Sequence, residues 1–143
     1  MSRTSNLSLA GVASLFVALQ LVPLDRDNPP VDSDLSAPDD IKAVLERSCY
    51  DCHSHETRWP WYAYVAPASL LVAHDVHEAR EKMNFSTWRE YRPDERAEMI
   101  DDAFHEIDEG DMPPWYYRIM NPSTRLSEAD RELFASWARA AGS

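Results

Sequence analysis

Glycine, cysteine and basic residues are all scarce in this chain of 143 residues, which has 3 glycines, 2 cysteines and 14 basic against 25 acidic residues. So few glycines nearly exclude a phosphate-binding glycine loop, and no Gly-x-Ser-x-Gly pattern is present. Two cysteines cannot make a four-cysteine zinc site, and a spacing of three does not resemble a disulfide framework. A net charge of -11 argues against nucleic acid as a partner, because phosphates need a basic surface to displace counterions. No strand-like alternation runs beyond four residues, and there is no internal repeat. What is present suffices for one small domain: 44% hydrophobic and 10% aromatic residues. The acidic balance suits steered encounters with basic partners, although solubility alone would also explain it.

All the acidic residues follow Leu24, and the stretch before them is the most apolar in the chain. Leu7 to Leu24 (LSLAGVASLFVALQLVPL) carries no charge and follows Arg3. As a helix it would rise about 27 Å, near the thickness of a bilayer core. A cleaved signal peptide would show a shorter apolar stretch and a small-x-small site, which Ala18-Leu19-Gln20-Leu21-Val22-Pro23 does not supply. The expectation is therefore an uncleaved signal anchor over residues 1–24, a single transmembrane helix. With its positive end inside, it would leave the rest of the chain on the periplasmic side of a bacterial cytoplasmic membrane. Residues 25–37 are polar and proline-rich and read as an extended tether. Residues 38–143 form the expected globular domain.

Within that domain every apolar pattern has helical spacing. Pro38, Asp39 and Asp40 open a helix, with Ile41, Val44 and Leu45 as its apolar stripe. Pro67 opens another through Leu70, Leu71, His74, Val76 and Ala79. A third runs from about Pro93 to Glu109 with Ala97, Ile100, Phe104 and Ile107 on one face. Ser127 caps the last, with Asp130 three residues on and Leu133, Phe134, Trp137 and Ala138 inward. The fold class is all-α.

The chemistry concentrates at Cys49-Tyr50-Asp51-Cys52-His53, which fits Cys-x-x-Cys-His, the attachment pattern of haem c. Two thiols one helical turn apart can reach both vinyl groups of a haem lying on that turn. The following histidine is then carried under the iron as an axial ligand. A redox dithiol would sit at a strand-to-helix junction, absent here. A zinc site using His53 or His55 would bring its second ligand pair too close for finger spacing. One covalent haem c, with its iron on His53, is the reading.

Across the iron the main candidate is Met112, in Gly110-Asp111-Met112-Pro113-Pro114, where prolines remove backbone donors and stiffen the loop. Met1 is in the leader, Met83 and Met99 lie in helical patterns, and Met120 precedes a loop with one proline. His74, His77 and His105 are the histidine alternatives, and an open position is the third. His55 follows the attachment site too closely to cross the haem plane. Methionine–histidine ligation raises the potential and blocks substrate access, which suits electron transfer, whereas an open site admits peroxide or gases.

These residues occur in a longer constellation. CYDCHSHETRWPWYAYVAP, HDVHEAREKMNFSTW, EGDMPPWYY, a closing S-x-A-D-R-x-L-x-x-x-W and the earlier VPLDRDNPP together resemble the bacterial haem-binding domain family. The resemblance covers nearly the whole chain. It implies a short, usually N-terminally anchored, cytochrome c-like helical domain around one haem, attached at Cys49 and Cys52. His53 would be the proximal ligand and Met112 the distal one. Family members usually read Ser-Asn-Glu-Thr where this chain has Ser54-His55-Glu56-Thr57, and have glycine where Ala79 stands; neither departure touches the ligands.

Supporting roles follow from residue type. Arg58 is a candidate partner for a haem propionate, with Trp59, Trp61 and Tyr64 as further pocket residues. Pro113 and Trp115 are expected to wall the pocket beyond Met112, and Tyr116 and Tyr117 could join them. Asp101 to Asp111 holds six acids and no lysine or arginine, either a solvated helix face or a docking patch for a basic redox partner. The functional expectation is a non-enzymatic carrier of single electrons between membrane complexes. The alternatives are a haem-bearing subunit of a larger respiratory or photosynthetic membrane complex, with Gly11 and its small neighbours allowing close helix contact, and a haem peroxidase or gas sensor.

Overall fold

Proline and carboxylate positions set where most helices of this chain begin. A computed structural model describes residues 3–141, with side chains from residue 8. Among them are seven α-helices: α1 Arg3–Gln20, α2 Asp39–Ser48, α3 Tyr50–His53, α4 Ala68–Lys82, α5 Pro93–Glu109, α6 Trp115–Met120 and α7 Glu128–Ala141. No strand is formed among the described residues; one isolated bridge pairs Ser33 with Thr87.

In α2, Asp39 and Asp40 occupy the first turn and Arg47 the last, each at the favourable end of the dipole. Pro93 opens α5, where the Glu95 carboxylate accepts the Arg92 backbone N–H at 2.8 Å. Ser127 and Asp130 cap α7 reciprocally: the Asp130 N–H donates to Ser127 Oγ at 3.2 Å and the Ser127 N–H to Asp130 Oδ2 at 2.8 Å. Ile41 and Leu45 from α2, Ile100 from α5 and Phe134 from α7 meet in one core, joined by Leu35 and Phe85 from the segments between helices. α5 packs on α7, α3 on α4, and α2 against both α3 and α7. Arg47 ties α2 to α7 through Asp130 at 2.8 Å.

The N-terminal segment corrects one expectation. A transmembrane helix over residues 7–24 does not form: α1 begins with the polar run Arg3-Thr4-Ser5-Asn6 and ends at Gln20. Pro23 disfavours helical backbone at Val22, and the chain leaves α1 through Leu21 and Val22, which donate to Ala18 and Leu19 carbonyls. The helical part of the uncharged stretch, residues 7–20, rises about 21 Å, short of the roughly 30 Å hydrocarbon core. Among the described residues no helix is long and apolar enough to cross a membrane. That finding removes the signal-anchor helix from the fold description and, with it, the single-pass placement in the cytoplasmic membrane. Met1, set aside above as a ligand, lies outside the described residues.

Gln20 instead faces the domain: its side-chain amide accepts the Ala66 N–H at 3.0 Å and donates to the Ala66 carbonyl at 3.4 Å. Residues 25–37, read as a tether from composition, run extended along the domain and are held to it at several points. Arg26 Nε donates to the Ala63 carbonyl at 3.0 Å. Arg80 binds the Asp27 carbonyl and the Asn28 side chain, and Ser33 N–H donates to the Ser86 carbonyl at 3.0 Å. Leu35 is in the core.

Candidate functional site

Helical backbone breaks at Cys49, where φ is -123°, and restarts as the single turn α3. The Cys49 carbonyl accepts from both Cys52 N–H (3.1 Å) and His53 N–H (2.9 Å), so the motif is wound tightly around one residue. This puts Cys49, Cys52 and His53 on the wall of one cavity of about 720 Å³ between α2, α4, α5 and α7. Both cysteines are free thiols. Burial pushes each up to about 12, with Asp51 and Asp75 adding to the effect at Cys52. In the unliganded chain they are therefore protonated at neutral pH. No cluster of three or more His, Cys, Asp or Glu side chains fit to hold a metal ion occurs among the described residues.

His53 is fixed from two directions. Its Nδ1 lies 3.0 Å from the Met83 carbonyl, which can only accept, so Nδ1 carries the proton and Nε2 the lone pair. Burial lowers its pKa, against the pull of the Met83 and Ala79 carbonyls, and keeps the ring neutral. The His53 carbonyl accepts the Phe85 N–H at 2.8 Å. A histidine that donates one ring N–H to a carbonyl and presents the other nitrogen is the usual form of a metal-ligating imidazole.

Met112 reaches the same cavity from the loop after α5. Gly110 ends that helix at φ 86°, a left-handed conformation that favours glycine. The Glu106 carbonyl then accepts from Asp111 N–H (3.0 Å) and Met112 N–H (3.1 Å), and Arg118 donates to the Gly110 carbonyl at 3.1 Å. Met112 is 36% exposed, while Pro113 beside it is buried and also lines the cavity. Met83, Met99 and His105 line the cavity as well. His74 and His77 do not; they face Glu78 and Glu81 on the outside of α4.

The aromatic residues sort differently from the expectation. Arg58 is held by Asp51, with Nε at 2.9 Å from Oδ1, and borders a separate side cavity of about 150 Å³ rather than the main one. Trp59, Trp61, Tyr64 and Trp115 line neither cavity. Trp59 is half-buried with Nε1 unpaired, Trp61 and Trp115 are largely exposed, and Tyr64 lies under Arg26. Tyr116 and Tyr117 form the wall between the two cavities, donating to Asp75 (2.9 Å) and Asp51 (2.8 Å). The deep wall belongs to Leu45, Phe85, Trp88, Ile100, Phe134 and Trp137. Helical spacing marks Leu45, Ile100, Phe134 and Trp137 as buried, and nothing local distinguishes a cavity wall from a core contact.

Exposed lining residues mark the cavity mouth: Glu78 and Lys82 on α4, Asp102, His105 and Glu106 on α5. Asp102 and Glu106 belong to the acidic run, so part of it borders the opening. The cavity has the size of a cofactor pocket and an apolar interior. One buried hydroxyl on its wall, Ser48 Oγ, has no protein partner. Two protonated thiols, a neutral imidazole and a thioether around an apolar space of this size fit a flat iron macrocycle.

The sequence model of the haem-binding domain family matches residues 14–140. No curated protein and no solved structure matches the chain.

Proposed function

The chain belongs to the haem-binding domain family, and from that premise we propose that it is a single-haem c-type cytochrome that passes electrons one at a time. Cys49 and Cys52 would hold the haem through thioether bonds, and His53 and Met112 would ligate its iron. The observation that supports this reading is convergence. Two thiols, an imidazole and a thioether from two distant segments line one apolar cavity.

Bound haem supplies a one-electron couple; the chain's residues adjust and guard it. His53 offers Nε2 with its other nitrogen committed to Met83. A thioether at Met112 would stabilise ferrous iron and close that position to substrate. Leu45, Phe85, Ile100 and Phe134 exclude water from the interior. No bond-making reaction is assigned. Redox partners with a basic face are the expected encounter, because the mouth carries Glu78, Asp102 and Glu106 against Lys82.

Acid-acetone extraction of the denatured holoprotein tests the attachment. One haem should stay with the parent polypeptide and leave the Cys49→Ala/Cys52→Ala variant. A weak far-red ferric band, expected for methionine on iron, should vanish in Met112→Ala and survive in Met99→Ala and His105→Ala. Haem that extracts from the parent, or a band that outlives Met112→Ala, refutes the proposal.

A further inference from the structure

The carbonyl that receives the His53 proton belongs to a peptide unit whose other end is also engaged. Met83 O lies 3.0 Å from His53 Nδ1, and the Asn84 N–H of that same unit donates to Tyr91 Oη at 3.1 Å. The unit has little freedom. Met83 N–H donates to the Ala79 carbonyl at 2.9 Å, and the next amide, Phe85 N–H, donates to the His53 carbonyl at 2.8 Å. The Asn84 side chain is fixed as well, between His55 Nε2 (2.8 Å) and the Ser86 N–H (2.9 Å). The Tyr91 ring is half-buried and set edge-on to Trp88, 5.8 Å between centroids.

We propose that Tyr91 is a positioning residue for the iron ligand, acting on His53 through the single peptide Met83–Asn84. A peptide is a conjugated unit. A hydrogen bond accepted from its N–H draws charge toward its oxygen and makes the carbonyl a stronger acceptor, by roughly 10–30% per bond in a chain. A stronger acceptor at Met83 pulls harder on the Nδ1 proton and makes Nε2 more electron-rich. An electron-rich nitrogen favours ferric over ferrous iron and lowers the potential. Tyr91 does not line the cavity, yet it sets the donor strength of His53, which does.

The inference rests on the assignment of His53 as iron ligand. Tyr91→Phe tests it, because the ring and its contact with Trp88 stay while the hydroxyl goes. In the holoprotein the reduction potential should rise. The His53 Nδ1 proton resonance in the reduced state should move upfield as its hydrogen bond weakens. A potential and a resonance both unchanged in Tyr91→Phe would overturn the relay, since a purely packing role predicts that result. His53→Gly separates the two claims. If that variant keeps the parent spectrum, the ligand assignment has failed and the relay with it. If it loses the ligand's spectrum while Tyr91→Phe leaves the potential in place, the relay alone has failed.

Discussion

Replacing Gly110 by alanine is the sharpest probe of the loop that carries Met112. Gly110 sits at φ 86°, ψ 14° at the end of α5, and a Cβ built there meets no heavy atom within 4 Å. The expected loss therefore contains no clash and comes from the backbone alone: about 1–2 kcal/mol for an L-residue held left-handed. For a domain of this size that lowers Tm by about 3–8 °C. Asparagine tolerates the same conformation better, so Gly110→Asn should lose about half as much. The turn fixes where the Asp111 and Met112 amides meet the Glu106 carbonyl, so Gly110→Ala should also weaken the far-red band assigned to Met112. Calorimetry on the holoprotein measures the first effect and a ferric spectrum the second. A Tm within 1 °C of the parent, or asparagine worse than alanine, would refute this account of the loop.

Truncating the largest fully buried side chain, Ile41→Ala at 1% exposure, should remove about 3 kcal/mol in a denaturant titration; a loss below about 1 would contradict its placement. At Asp130, burial alone would raise the carboxyl pKa, but hydrogen bonds from Ser127 and Arg47 hold it below its ordinary value. A folded value below the unfolded one adds stability above about pH 4 that is lost as pH falls through the folded value. Asp130→Asn should therefore lose about 1 kcal/mol at pH 7 and progressively less toward pH 3, and an equal loss at both would count against the ion pair. Electron exchange with hexaammineruthenium(III) should slow as salt rises, and exchange with ferricyanide should quicken. Rates insensitive to ionic strength for both reagents would show that the acidic mouth plays no part.

Much of the helical layout was legible because its signals are local. Pro93 and Gly110 bracket α5 by what their backbones permit, and Ser127 with Asp130 announces α7 through a cap three residues long. Cys49, Cys52 and His53 were legible for the same reason, since their chemistry depends on a spacing within one turn. α6 is not legible in the same way: at six residues, Trp115–Met120, it is too short to display a period. The N-terminal helix ends before its apolar stretch does, and hydropathy over residues 7–24 carries no information about where helical hydrogen bonding stops. In the structure it stops at Gln20, whose side chain binds Ala66 46 residues away.

The sequence by itself determined that the chain is helical and that two thiols and an imidazole share one turn, because both follow from backbone preference and short spacing. Only the tertiary structure decided what surrounds that turn. Trp61 and Trp115 face solvent while Phe85, Trp88, Phe134 and Trp137 wall the cavity, and Arg58 turns to Asp51. The structure also brings Met112 from its distant loop to the cavity of His53. Such choices depend on how whole helices pack: Arg80, for one, reaches Asp27 across 53 residues, and no window of sequence contains both.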